Sequence, residues 1–117
     1  PFSRGREVSR DMNEIIKEPV KNIGPDQIIK TVADYFEISP SDLISRSRKK
    51  ELVECRQITA YLLRDILSLS YPFIGERLGK RDHTTVIYAC EKITRELSNN
   101  QTLSQNILTI KDRLIKN

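Results

Sequence analysis

From Val86 the apolar residues return at Ala89, Cys90, Ile93 and Leu97, at spacings of three, one, three and four. That period lines one face of an α-helix and cannot be laid on a strand, whose faces alternate every second residue. Similar stripes run through Ile28, Ile29, Val32, Ala33 and Phe36, then Ile58, Leu62, Ile66 and Leu69 with Tyr61 and Leu63 widening the band, then Leu103, Ile107, Ile110 and Leu114. The chain shows no alternating strand pattern of useful length, no internal repeat and no low-complexity tract. Helices with one apolar stripe must bury it on other helices, so the expected fold class is all-α, a helical bundle.

Local signals set the expected boundaries. Ser9 is placed to cap a short helix over residues 9–18 with Met12, Ile15 and Ile16 at helical spacing, and Pro19 stops it. Residues 21–24 read as a connector. Pro25 suits a first helical position, and its helix is expected to reach residue 37. Ser39-Pro40-Ser41-Asp42 supplies a cap, a first-turn proline and an early acid for a short helix carrying Leu43 and Ile44. A long helix is expected over residues 53–68, a short one over 72–78 opened by Pro72, and a third over 83–97. Asn99-Asn100 breaks that helix, and Thr102 is the expected cap of the last one.

The bulk composition bounds the function classes. With 117 residues and 38% hydrophobic content the chain supports one small core, and no apolar run approaches the length of a membrane span. A net charge of +4 mildly favours an anionic partner. The chain begins at Pro1 without a visible secretory signal and is read as a piece of something longer. Cys55 and Cys90 form no C-x-x-C pair and there is one histidine, too few ligands for a structural zinc. Cys90 reads as a small core residue in a reducing cytoplasm. A lone His83 with no spaced nucleophile and acid is a poor catalyst, and no G-x-x-x-x-G-K-[ST] run is present to hold a nucleotide. No metal, cofactor or enzymatic activity is expected of these residues.

The segment expected to carry function is Arg81-Asp82-His83-Thr84-Thr85-Val86. A short helix, a turn at Gly79 and a second helix have the proportions of a helix-turn-helix, whose second helix enters a major groove of duplex DNA. The apolar stripe starts at Val86, so residues 82–85 precede the buried side and project outward. Asp82 suits the N-cap. The Thr84 and Thr85 hydroxyls can bond base edges or phosphates, and their methyls can meet a thymine methyl. His83 can donate to either, and Arg81 is placed for the DNA backbone. Upstream, residues 46–56 hold Arg46, Arg48, Lys49, Lys50 and Arg56 against Glu51 and Glu54. An arginine there could enter a narrow minor groove, where the negative potential is enhanced. Each feature has a plainer reading. A charge run is usually a solvated face, Arg56 could pair with Asp42 or Glu51, Gln57 could be a helix former, and Asp82 could act only as a cap. The tyrosines read as core or rim residues. Docking to an acidic protein or an anionic membrane is the competing function, although the charges of residues 8–20 nearly cancel.

The runs IIKTVADYF, SDLISRSRKK, CRQITAYLLRDI and IGERLGKRDHTTVIYACEKI resemble, over residues 25–97, the C-terminal DNA-binding domain of the bacterial chromosomal replication initiator family, DnaA. Residues 5–18 are more weakly similar to the last helix of that family's ATPase lid. The resemblance implies two parts: residues 1–24 as the end of the lid with a connector, and residues 25–117 as a helix-turn-helix domain. It implies that Arg48 reaches the minor groove, that Arg56 and Gln57 hold phosphates, that Asp82, His83 and Thr84 read bases with help from Thr85, and that Pro72 sits near a thymine methyl. Arg46, Lys50, Arg77, Lys80 and Arg81 are lesser phosphate candidates. The implied partners are double-stranded origin DNA at the short asymmetric DnaA boxes, one monomeric domain per box, and the rest of the initiator. The implied location is the cytoplasm, at the nucleoid, and ATP would be bound only by a domain outside these residues. Four positions depart from the family pattern: Leu78 stands for a common Phe, Lys80 for a frequent Gly, and Glu54-Cys55 for a basic-proline pair.

Overall fold

The computed structural model describes residues 23–116, and these form six helices: α1 Pro25–Phe36, α2 Pro40–Leu43, α3 Lys50–Leu67, α4 Tyr71–Arg77, α5 His83–Leu97 and α6 Gln101–Lys116. The described residues contain no strand, as the all-α reading requires. The helix expected over residues 9–18 lies outside the described residues, as does the connector as far as residue 22.

The helix ends follow from local chemistry. Pro25 opens α1 with its fixed φ and missing N–H at a position that needs no donor. The helix closes where Glu37 turns left-handed, φ 61°, and the N–H groups of Glu37 and Ile38 return to Asp34 and Ala33. Ser39 caps α2 by accepting from the Asp42 N–H at 3.0 Å. Three starts differ from expectation. α3 begins at Lys50 rather than near residue 53, because Lys and Glu are strong helix formers that extend the helix ahead of its apolar stripe. α6 is capped by Asn100, whose Oδ1 accepts from the Leu103 N–H at 3.0 Å, so Thr102 lies inside the first turn instead of capping it. α4 starts one residue before Pro72, because Ser70 accepts from the Phe73 N–H.

α3 is the central helix, packing on α1, α2, α4 and α5, while α6 closes the bundle against α1 and α5. The core runs through Ile28 and Val32 of α1, Leu62 and Leu63 of α3, Ile74 of α4, Val86 of α5 and Ile110 of α6. Each such side chain contributes about 1.5–3 kcal/mol by leaving water. Thr59 is fully buried on α3 and satisfies its hydroxyl on the Cys55 carbonyl at 2.8 Å. Tyr35 OH donates to Asn106 Oδ1 at 2.7 Å and Lys111 meets Asp65 at 2.8 Å, which pin α6 to α1 and α3. Both cysteines are buried in the core. Burial and the neighbouring Glu54 push the Cys55 thiol up to about 11, so it stays protonated at neutral pH.

Candidate nucleic-acid interface

α4 and α5 cross at a short turn that two glycines make possible. Gly79 is left-handed, φ 87°, and a Cβ there would run into the Ile44 carbonyl of the α2–α3 corner. Gly75, inside α4, faces the backbone of the turn: its carbonyl accepts from the Arg81 N–H at 2.8 Å, and a Cβ would collide with the Arg81 carbonyl. Sequence reading singled out Gly79 and passed over Gly75, which lies mid-helix and carries no local turn signal. The turn thus rests on both glycines rather than on Gly79 alone. Lys80 itself is left-handed, φ 61°, a conformation that strains a residue with a Cβ.

Past the turn, Asp82 caps α5. Its Oδ2 accepts from the Thr84 N–H at 3.3 Å, and its other carboxylate oxygen lies 3.6 Å from His83 Nδ1. Asp82, His83, Thr84 and Thr85 are all exposed, and burial begins at Val86, the point where the apolar stripe starts. The tip therefore presents a carboxylate, an imidazole and two hydroxyls to solvent at a helix N-terminus.

Beside the tip lies a groove of about 310 Å³ lined by Arg46, Arg48, Arg56, Gln57, Arg81, Thr85 and Tyr88. The basic loop after α2 forms one wall and the start of α5 the other. Arg48 of the loop and Arg81 of the turn, 33 positions apart in the chain, thus face a single cleft rich in cations. Arg46, Arg48, Lys50 and Lys80 are exposed.

Arg56, Arg77 and Arg81 have partners within the protein. Arg56 is buried, and its Nε donates to the Leu43 carbonyl at 2.6 Å rather than pairing with Asp42 or Glu51. Burial, then the nearby Arg81 charge, holds its pKa below the usual guanidinium value. Arg81 is half-buried and donates to the Ser45 carbonyl at 2.7 Å and to the Leu78 carbonyl. Its pKa is lowered first by burial and then by Arg46. Arg77 pairs with Asp26 of α1 and, like the exposed Pro72, does not line the groove. Gln57 accepts from Lys92 Nζ at 3.2 Å.

Lys92 escaped sequence reading, and Tyr88 was read there only as a core or rim residue. Tyr88 is 55% exposed in the groove wall, and Lys92 bridges Gln57 and, at 3.7 Å, Glu96. The signal was available: Thr84, Tyr88 and Lys92 follow one another at four-residue steps and must share a helix face. The other tyrosines are part of the packing, with Tyr35 edge-on to Phe36 at 5.0 Å and Arg64 lying 4.4 Å over the Tyr71 ring. No described helix is long and apolar enough to cross a membrane, and the described residues hold no cluster of three metal-ligating side chains.

Residues 25–93 match the family described as bacterial dnaA protein helix-turn-helix. Among curated proteins the chain is similar to the chromosomal replication initiator protein DnaA of Nostoc punctiforme, 48% identical over 90 residues that cover 77% of this chain and 20% of that protein. The DnaA of Trichormus variabilis is 41% identical over 105 residues, 88% of this chain and 23% of the relative. That of Geobacter sp. is 38% identical over 113 residues, 97% of this chain and 24% of the relative. The chain spans about a fifth to a quarter of the length of the curated relatives it matches. On the match of its helices α1 to α5, this chain belongs to the bacterial DnaA helix-turn-helix family.

Proposed function

We propose that residues 25–117 bind duplex DNA in a sequence-specific way, as the origin-recognition part of a replication initiator. The first turn of α5 enters the major groove, and Arg48 of the basic loop enters the adjacent minor groove. The observation that carries this reading is the exposed tip of residues 82–85 beside a cleft walled by Arg46 and Arg48. A helix tip alone is a capped helix, and a basic loop alone is a solvated loop. Together on one side of the molecule they offer base-edge donors and acceptors next to phosphate-neutralising charge.

In this arrangement His83 and Thr84 supply donors to base acceptors, the Asp82 carboxylate accepts from an exocyclic amine while capping the helix, and Thr85 adds a hydroxyl and a methyl. Pro72 lies near a thymine methyl. Lys50, Lys80, Arg46 and Lys92 neutralise phosphates, and Tyr88 packs against the sugar-phosphate wall of the groove. Arg77 contributes to phosphate binding only on releasing Asp26. The target is a DnaA box, bound by one monomeric domain in the cytoplasm, at the nucleoid. Residues 1–24 are the end of an ATPase lid with a connector, and ATP is bound elsewhere in the initiator.

The test is a mobility shift with a DnaA-box duplex and a scrambled duplex at two salt concentrations. If about six phosphates are neutralised, log K falls against log salt with a slope of about −5. Tighter binding of the box at both salts is the expected result. Equal binding of the two duplexes contradicts the reading.

A further inference from the structure

Two guanidiniums meet beneath the basic loop. Arg56, 6% exposed, donates from Nε to the Leu43 carbonyl at 2.6 Å and from Nη2 to Ser45 Oγ at 3.5 Å. Arg81 comes from the turn before α5 and donates from Nη2 to the Ser45 carbonyl at 2.7 Å and from Nη1 to the Leu78 carbonyl. Ser45 is thus gripped at its hydroxyl by one arginine and at its carbonyl by the other. The Ser45 hydroxyl in turn donates to the Asp42 carbonyl at 2.7 Å and accepts from the Ser47 N–H at 3.2 Å, and Ser47 Oγ accepts from the Lys49 N–H at 3.2 Å. From Leu43 to Lys49 the loop is tied down almost residue by residue, and Arg46 and Arg48 ride on it.

Bringing two like charges together away from water is costly unless oriented dipoles compensate. Here the compensating groups are backbone carbonyls of the loop and of the end of α4. The rigid guanidinium fork reaches two acceptors at once, which an ammonium on a flexible stem does not reproduce. Arg81 is also the residue immediately before the α5 cap, Asp82. A side chain anchored in the loop is therefore one peptide bond from the tip.

We infer that Arg56 and Arg81 are positioning residues, a two-guanidinium clasp that fixes the loop bearing Arg48 at a set distance from the first turn of α5, so that one rigid unit meets both grooves. The inference rests on the DNA-binding reading above. It departs from the phosphate-holding role that resemblance gave these two arginines.

Fluorescence anisotropy with labelled box and scrambled duplexes separates the two roles. Lysine keeps the charge and loses the fork. A phosphate ligand therefore survives Arg→Lys with nearly full affinity, whereas the clasp does not. Arg56→Lys and Arg81→Lys are each expected to weaken box binding about tenfold, similar to Arg48→Ala. Added to Arg48→Ala, each causes far less than its own loss, because the minor-groove arginine they position is already gone and only the exposed Arg46 contact is left to disturb. Added to Thr84→Ala, each loss multiplies, which a general collapse of the fold would not produce. Ser45→Ala is the milder variant should the arginine changes unfold the chain: it removes one clasp acceptor, and about a threefold loss is expected, again far smaller in the Arg48→Ala background. Full affinity in Arg56→Lys and Arg81→Lys, or losses that multiply with Arg48→Ala, overturn the clasp while leaving DNA binding intact. An unsubstituted chain indifferent to sequence overturns the DNA-binding reading and the clasp together.

Discussion

The first turn of α5 and the loop before α3 face the same groove, but they are held in place by opposite means. The tip is set by its neighbours in the chain: the Asp82 carboxylate caps the N–H two residues on, and the stripe from Val86 decides which side is buried. The loop has only short serine turns of its own and is held by Arg56 and Arg81, 13 and 36 positions away from their acceptors. One element is shaped locally, the other by tertiary contact. The difference implies that the tip tolerates changes in the rest of the bundle, while the loop is lost as soon as its distant anchors move.

The largest effects are expected at the seam between the two regions. Gly75→Ala drives a methyl into the Arg81 carbonyl and Gly79→Ala drives one into that of Ile44, so neither turn nor corner can keep its path. Each is expected to cost about 3 kcal/mol, at the upper end of overpacking penalties. Thermal melting followed by circular dichroism checks this, and an unchanged midpoint in both variants contradicts the close approach.

Substitutions within the regions separate their roles. Thr84→Ala or His83→Ala should remove about 1–3 kcal/mol of the preference for the box over a scrambled duplex. Lys50→Ala should weaken both duplexes about equally and reduce the salt slope by about 0.9. Equilibrium titrations at several salt concentrations measure both, and a Thr84 variant that loses affinity equally on the two duplexes speaks against base reading.

Smaller effects sharpen the picture of the tip. Asp82→Ala removes the cap and should lower stability in the absence of DNA by about 1 kcal/mol, while Asp82→Asn, which still caps, should not. Equal urea midpoints for Ala and Asn would show that the cap contributes nothing. Lys80→Gly relieves the left-handed strain and should raise stability by about 0.5–1 kcal/mol, read from the same urea curves.

What the sequence made legible divides along the same line. α5 was expected over residues 83–97 and is found at His83–Leu97, because its cap, its stripe and the asparagines beyond it are local signals. The α6 cap was misassigned because Asn100 and Thr102 are both good capping residues. What decides between them is that capping from Asn100 carries Leu103 into the core, 8% exposed, a tertiary fact. The exposed tip was legible for the same reason as α5. The burial of Arg56 was not, since nothing near it in sequence shows that the Leu43 carbonyl will lie against its side chain. Gly75 likewise looked like an ordinary helix residue until the turn was seen to cross it.

The most direct test of the central claim, that the tip and the loop meet one duplex together, is amide chemical-shift mapping of the chain titrated with a box duplex. Signals of residues 82–85 and of residues 46–49 are expected to move in the same titration with the same midpoint, while those of α6 stay in place. Shifts confined to α6, or a loop that stays silent while the tip responds, would contradict it.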